Sequence, residues 1–171
     1  MNQNKSYCHK LSLPALILAC MIMVSLTAGA QSCAVRMQFP PPGGANIHLA
    51  PGDLCLTNTA NDGHVLNLRF NGPSSAFAFS LRLFDHTDGG ITLWCAHAPN
   101  GGCALGDDLV FHEDGNLSLN FQGAQIWNSN TAGDNNGHEF LKVTTDGLAC
   151  IVTVHSNGSE TRDFCSNNTP Q

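Results

Sequence analysis

Short runs in which apolar and polar residues take turns dominate the chain beyond residue 45. Val65-Leu66-Asn67-Leu68-Arg69-Phe70, Ala76-Phe77-Ala78-Phe79-Ser80-Leu81-Arg82-Leu83-Phe84, Ile91-Thr92-Leu93-Trp94 and Leu117-Ser118-Leu119 all follow this pattern. A period of two puts the apolar side chains on one face of an extended strand. The runs are separated by Gly, Asn and Asp, which favour turns. The pattern predicts antiparallel β structure with few helices. Pro40-Pro41-Pro42-Gly43-Gly44 is stiff and then flexible, so residues 31–44 read as a connector and the folded domain is expected to start near Ala45.

Internal repetition sharpens this expectation. Three segments align on an Asp-Gly pair: His86-Thr87-Asp88-Gly89-Gly90-Ile91-Thr92-Leu93-Trp94, His112-Glu113-Asp114-Gly115-Asn116-Leu117-Ser118-Leu119-Asn120 and Thr144-Thr145-Asp146-Gly147-Leu148-Ala149-Cys150-Ile151-Val152. Each reads as strand, turn and strand, because Asp-Gly tolerates the positive φ of tight hairpins. The pairs lie 26 and then 32 residues apart, the spacing of three four-stranded units with variable loops. A plain β-sandwich with chance Asp-Gly hairpins is the competing architecture.

The stretch from Leu109 to Asn120, followed by Ile126-Trp127-Asn128-Ser129-Asn130-Thr131, resembles one repeat of a bulb-type (monocot mannose-binding type) lectin domain. The resemblance covers roughly residues 46 to 155. It includes Leu49-Ala50-Pro51-Gly52-Asp53-Leu54, which looks like the opening of such domains. It implies an all-β fold of the β-prism II type, three antiparallel sheets about a pseudo-threefold axis, with Trp127 and Trp94 filling the centre. It places the lectin domain at 45–155 and leaves 156–171 as a polar tail. Gln125-Ile126-Trp127 also matches the Gln-x-Trp of ricin-type lectins, so a β-trefoil is the alternative fold.

The family's sugar motif is Gln-x-Asp-x-Asn-x-Val-x-Tyr. Here His112, Asp114, Asn116, Ser118 and Asn120 occupy those positions, and the Asp and Asn match. Alternate strand positions share a face, so such residues form a shallow polar comb. A carboxylate accepts sugar hydroxyl protons, while an amide both donates and accepts. The resemblance therefore implies carbohydrate contacts at His112, Asp114, Asn116 and Asn120. The first repeat offers a second set, His86, Asp88 and Trp94, with Gly90 in place of Asn and the indole in place of the phenol. The third keeps Asp146 but carries Leu148, Cys150 and Val152, and is not expected to bind sugar. Two other function classes compete with a mannose-binding lectin. One is a protein-interaction or antagonistic toxin-like module on the same scaffold with decayed sugar sites; the other is a secreted hydrolase.

Composition narrows the partners. Lys5 and Lys10, an apolar run from about Leu11 to Leu26 and Ala28-Gly29-Ala30 read as a signal peptide spanning 1–30, which makes the protein secreted. The run is too short for a comfortable membrane span. After it stand five basic and thirteen acidic side chains, an acidic balance with no basic stripe, so nucleic acid and membrane insertion are not expected. Glycans or glycoproteins are the expected partners, together with a second copy of the chain in a homodimer, as the resemblance implies. Six cysteines remain, Cys33, Cys55, Cys95, Cys103, Cys150 and Cys165. An even count in an exported chain reads as disulfides. Fifteen connectivities are open, and pairing in sequence order, which closes short local loops, is the expectation. No Cys-x-x-Cys, Gly-x-Ser-x-Gly or His-Glu-x-x-His occurs, so neither metal, cofactor nor catalytic centre is expected. Asn116-Leu117-Ser118, Asn157-Gly158-Ser159 and Asn167-Asn168-Thr169 are acceptor sequons if the source glycosylates.

Overall fold

The alternating runs build twelve strands in three separate sheets. The computed structural model describes residues 33–167 except 77, 88–89 and 134–135. The expected signal peptide lies outside the described residues, as does Asp88. The strands are β1 (Arg36–Gln38), β2 (Ile47–Leu49), β3 (Cys55–Thr59), β4 (Val65–Phe70), β5 (Leu81–Asp85), β6 (Ile91–Cys95), β7 (Asp108–Phe111), β8 (Leu117–Phe121), β9 (Ala124–Asn128), β10 (Glu139–Val143), β11 (Ala149–Val154) and β12 (Glu160–Cys165). Sheet one has the order β3-β4-β5-β6, sheet two β2-β7-β8-β9 and sheet three β1-β10-β11-β12. Every pairing between these strands is antiparallel. This is a β-prism-like architecture of three four-stranded sheets. Gln125-Ile126-Trp127, which raised the trefoil alternative, is one stretch of β9.

The pseudo-threefold relation is visible in the register. In the third strand of each sheet the pairing slips after the core residue: between Leu83 and Phe84, Leu119 and Asn120, and Ile151 and Val152. Those residues face Trp94, Trp127 and Phe164 on the fourth strands. The three rings meet edge to face at centroid distances of 5.9, 6.1 and 5.8 Å, an arrangement that suits the aromatic quadrupole. Around them pack Leu68, Leu109 and Leu141 from the second strands, all in one buried apolar cluster.

Two boundaries differ from the sequence reading. The supposed connector contributes β1, which pairs with β10 from Arg36↔Lys142 to Gln38↔Phe140, and Phe39 is buried against Phe111 at 4.9 Å. The supposed polar tail contributes β12 and, through Phe164, one of the three central rings. Both strands have a solvated outer face, so their apolar signal is short: Met37 and Phe39 in and after β1, Phe164 and Cys165 at the end of β12. The Asp-Gly alignment also needs correction. Asp114-Gly115 joins β7 to β8 and Asp146-Gly147 joins β10 to β11, both second to third strands, whereas the chain position of Asp88-Gly89 falls between β5 and β6, third to fourth.

The turns repeat one geometry. In Ala60–His64, His112–Asn116, Thr144–Leu148 and His155–Ser159, the Gly N–H donates to the first residue's carbonyl and the first N–H to the fifth. Gly63, Gly115, Gly147 and Gly158 have φ of 89, 86, 89 and 80°, and their preceding Asp or Asn does not have positive φ. The hairpins are therefore type I turns with a left-handed glycine at the bulge, not the two-residue type with positive φ twice. The cysteines pair in sequence order: Cys33–Cys55, Cys95–Cys103 and Cys150–Cys165. Three disulfides fit an oxidising compartment. No described helix is long and apolar enough to cross a membrane.

Candidate functional site

The outer face of sheet two gathers polar groups from all four strands. Pairing sets His48 beside Val110, Val110 beside Ser118 and Ser118 beside Asn128. One row away Asp108 faces Asn120, and His48 Nδ1 lies 2.9 Å from Asp108 Oδ2. His112, at the end of β7, completes the set.

These groups form a directed chain of hydrogen bonds. Asn46 Oδ1 accepts from the Glu113 N–H at 3.0 Å, so the Asn46 amide turns its Nδ2 toward His112 Nδ1, 3.4 Å away. Nδ1 then accepts, and the imidazole proton sits on Nε2, 2.7 Å from Ser118 Oγ. The Ser118 hydroxyl donates onward to Asn120 Oδ1 at 3.4 Å. In this order one ring nitrogen accepts and the other donates. The chain ends with the Asn120 amide N–H groups presented outward beside Asp108. Ser118 itself is fully buried; at the motif's apolar position it serves as a relay between His112 and Asn120.

Asp114 and Asn116 stand at the turn end of this face and carry structural duties. Asp114 Oδ1 accepts from the Asn116 N–H at 3.0 Å, the side-chain turn that Asp makes at such corners. Asn116 Oδ1 accepts from Ser129 Oγ at 3.1 Å and from the Thr131 N–H at 3.4 Å. Thr131 Oγ1 donates to the Gly115 carbonyl at 2.7 Å, and Ser129 Oγ accepts from the Leu117 N–H at 2.9 Å. The Ser-Asn-Thr segment after Trp127 is thus a clamp on the Asp-Gly turn. What remains for a ligand is Asp114 Oδ2 and Asn116 Nδ2. Gly115 is required twice over: its φ is 86°, and a Cβ there would stand 2.2 Å from Glu139 Oε2.

The corresponding face of sheet three is closed. The Cys150–Cys165 disulfide and Val152 form a small buried cluster with Phe140 and Leu148 against it, and the Arg36 guanidinium lies 4.1 Å above the Phe140 ring. Asp146 is taken by Arg162 through two bonds of 2.7 and 3.1 Å. Its hydrogen bond from Arg162, with a lesser one from Thr144, holds the carboxyl down at about 2.

Sheet one does not present the predicted trio. Trp94 is a central core ring, so its proposed stacking on a sugar is overturned: bulging of the sheet turns it inward. His86 is exposed and lines a cavity of about 260 Å³ with Asn67, Arg69, Asn71, Phe84 and others, while Asp88 lies outside the described residues. At the edge of this sheet His64 Nδ1 bonds Asp85 Oδ2, and Asp85 Oδ1 accepts from the Thr87 N–H at 2.9 Å. Among the described residues no three His, Cys, Asp or Glu side chains converge to hold a metal ion.

Sequence reading missed Asn46, His48, Asp108 and Asn128 as members of the sheet-two face. The signal was present as the alternation Asn46-x-His48 and Asp108-x-Val110-x-His112, but only the pairing of β2 with β7 brings the two together. Comparisons of the chain with protein-family models, with curated proteins and with solved structures returned no match.

Proposed function

We propose that the protein is a secreted, non-enzymatic carbohydrate-binding protein of the bulb-type lectin kind, which takes mannose-like glycans on the outer face of sheet two. The observation that carries this reading is the oriented chain from Asn46 through His112 and Ser118 to Asn120. It fixes the Asn120 amide as a donor next to the Asp108 carboxylate, with the Asp114 carboxylate as a further acceptor at the turn end of the same face. A hexose with vicinal hydroxyls needs such alternating partners, and bonds to a charged group contribute about 1.5–3 kcal/mol each. The shallow face suits weak single contacts strengthened by multivalent display. The β-prism-like fold, the Ile-Trp-x-Ser-Asn-Thr clamp and the three disulfides support the lectin resemblance and export.

The closed third face favours a second reading, a protein-interaction module in which sugar sites have decayed. The two separate in a glycan array of the disulfide-intact protein beside an Asp114→Asn, Asn120→Ala variant. Binding of mannose-terminated glycans that the variant loses supports the lectin reading. Absence of any neutral-glycan binding by the folded protein would overturn it.

A further inference from the structure

The turn between β11 and β12 carries chemistry that the sheet-two face does not use. Asn157-Gly158-Ser159 is one of three Asn-x-Ser/Thr sequences in the chain, and residues 155–159 are all exposed. The backbone of this turn closes on itself. The His155 N–H donates to the Ser159 carbonyl at 2.9 Å, and the Gly158 N–H donates to the His155 carbonyl at 2.8 Å. Gly158 has the left-handed φ of 80° that the bulge position needs.

The side chains are set within the same turn. Asn157 Oδ1 accepts twice from Ser159, from its N–H at 2.9 Å and from its hydroxyl at 2.7 Å. An amide offers one oxygen that accepts and one nitrogen that carries two protons. With the oxygen held by Ser159, the nitrogen is the end of Asn157 left for chemistry. Both bonds also draw electron density from the amide through its oxygen, so a proton on Nδ2 is easier to lose. Each of these bonds spans four residues or fewer, so the arrangement needs no contact with the rest of the fold.

Asn116-Leu117-Ser118 is built differently. Asn116 Oδ1 accepts from Ser129 Oγ and from the Thr131 N–H, both distant in the chain. The Ser118 hydroxyl does not act on its own asparagine: it is fully buried and bonded to His112 and Asn120. In the third sequence, Asn168 and Thr169 lie outside the described residues.

We propose that Asn157 is an acceptor for N-linked glycosylation, taking an oligosaccharide from a lipid-diphosphate donor. In the transfer a bond forms between Asn157 Nδ2 and C1 of the first sugar, and the bond from C1 to the diphosphate oxygen breaks. The diphosphate leaves with the bonding electrons, and Nδ2 gives one proton to a base of the transferase. Ser159 is the positioning residue, holding Oδ1 so that Nδ2 faces the donor. The glycan stands on a sheet-three turn, and the residues that carry it take no part in the sheet-two hydrogen-bond chain.

The test is secretion of the full chain from a host that N-glycosylates, with the three disulfides verified by mass. The purified protein is treated with an amidase that releases N-glycans and leaves Asp at each carrier position, which peptide mass spectrometry locates. The expected result is a glycan on Asn157 and none on Asn116. Asn157→Gln and Ser159→Ala should lose the Asn157 glycan, while Ser159→Thr, which restores the hydroxyl, should keep it. An unmodified Asn157 in the secreted, disulfide-intact protein overturns the proposal. So does a glycan on Asn116 in its place, or unchanged occupancy of Asn157 in Ser159→Ala.

Discussion

Replacing Phe164 by Ala tests the architecture at its least expected point. Phe164 is 5% exposed and packs against Trp94 at 6.1 Å and Trp127 at 5.8 Å, both edge to face. Truncating a buried Phe costs about 3–5 kcal/mol through lost transfer energy and the cavity left behind. The two edge-to-face contacts place Phe164 at the upper part of that range, since such pairs add about 0.5–1.5 kcal/mol each. The neighbouring Cys165 stays tied to Cys150, so β12 remains attached and the loss reports packing, not detachment. For a domain with about 5–15 kcal/mol of total stability, this is a large fraction. Urea denaturation followed by tryptophan fluorescence measures it, with Arg162→Ala as the control. Arg162 lies on the same strand in a solvent-exposed pair with Asp146, worth about 1 kcal/mol or less. A loss below about 1 kcal/mol for Phe164→Ala, equal to the control, would refute the placement of the C-terminal segment in the central core.

Two further outcomes follow from the turns. Gly115→Ala should destabilise by at least about 1–2 kcal/mol from the left-handed backbone alone, more because the new Cβ meets the Glu139 carboxylate; equilibrium unfolding checks this, and a neutral result would remove the close approach of turn and Glu139 from the account. The Asp146–Arg162 pair predicts a small acid dependence with a definite sign. Because the Asp146 carboxyl is held at about 2, below its unfolded value, by Arg162 first and Thr144 second, its contribution is present above the unfolded carboxylate range and disappears as pH falls through about 2. Solvent screening keeps it modest. In Arg162→Gln the Asp146 titration, followed by carboxyl-carbon NMR, should move up toward the ordinary carboxylate range; an unmoved titration would contradict the pairing.

How much of this could be read in the sequence depends on what each element buries. Strands with an inward apolar comb, such as Val65–Phe70 and Leu117–Phe121, announce themselves through period two. Arg36–Gln38 and Glu160–Cys165 do not, because their outer faces are polar and each brings one inward aromatic, Phe39 or Phe164, at its end. The Asp-Gly pairs give the turns but not their place in a sheet, since one local pattern serves a second-to-third and a third-to-fourth connection. That is why the sequence pattern groups His86 with Trp94 although Trp94 points to the centre. At the site, His112 and Asn120 were legible as alternate positions on one strand face. The role of Ser118 as a buried relay, and the cross-strand partners Asn46, His48 and Asp108, appear only once β2 is paired with β7.

The proposal that the polar face of sheet two takes a neutral sugar is tested by a two-dimensional NMR titration of the oxidised protein with methyl α-mannoside. The expected shifts are concentrated on the Asn120 side-chain amide, the His112 ring and the backbone around Asp114, with Phe140 and Val152 on the closed face unmoved. Saturating sugar that moves none of the sheet-two signals, or that moves only those of another face, would contradict it.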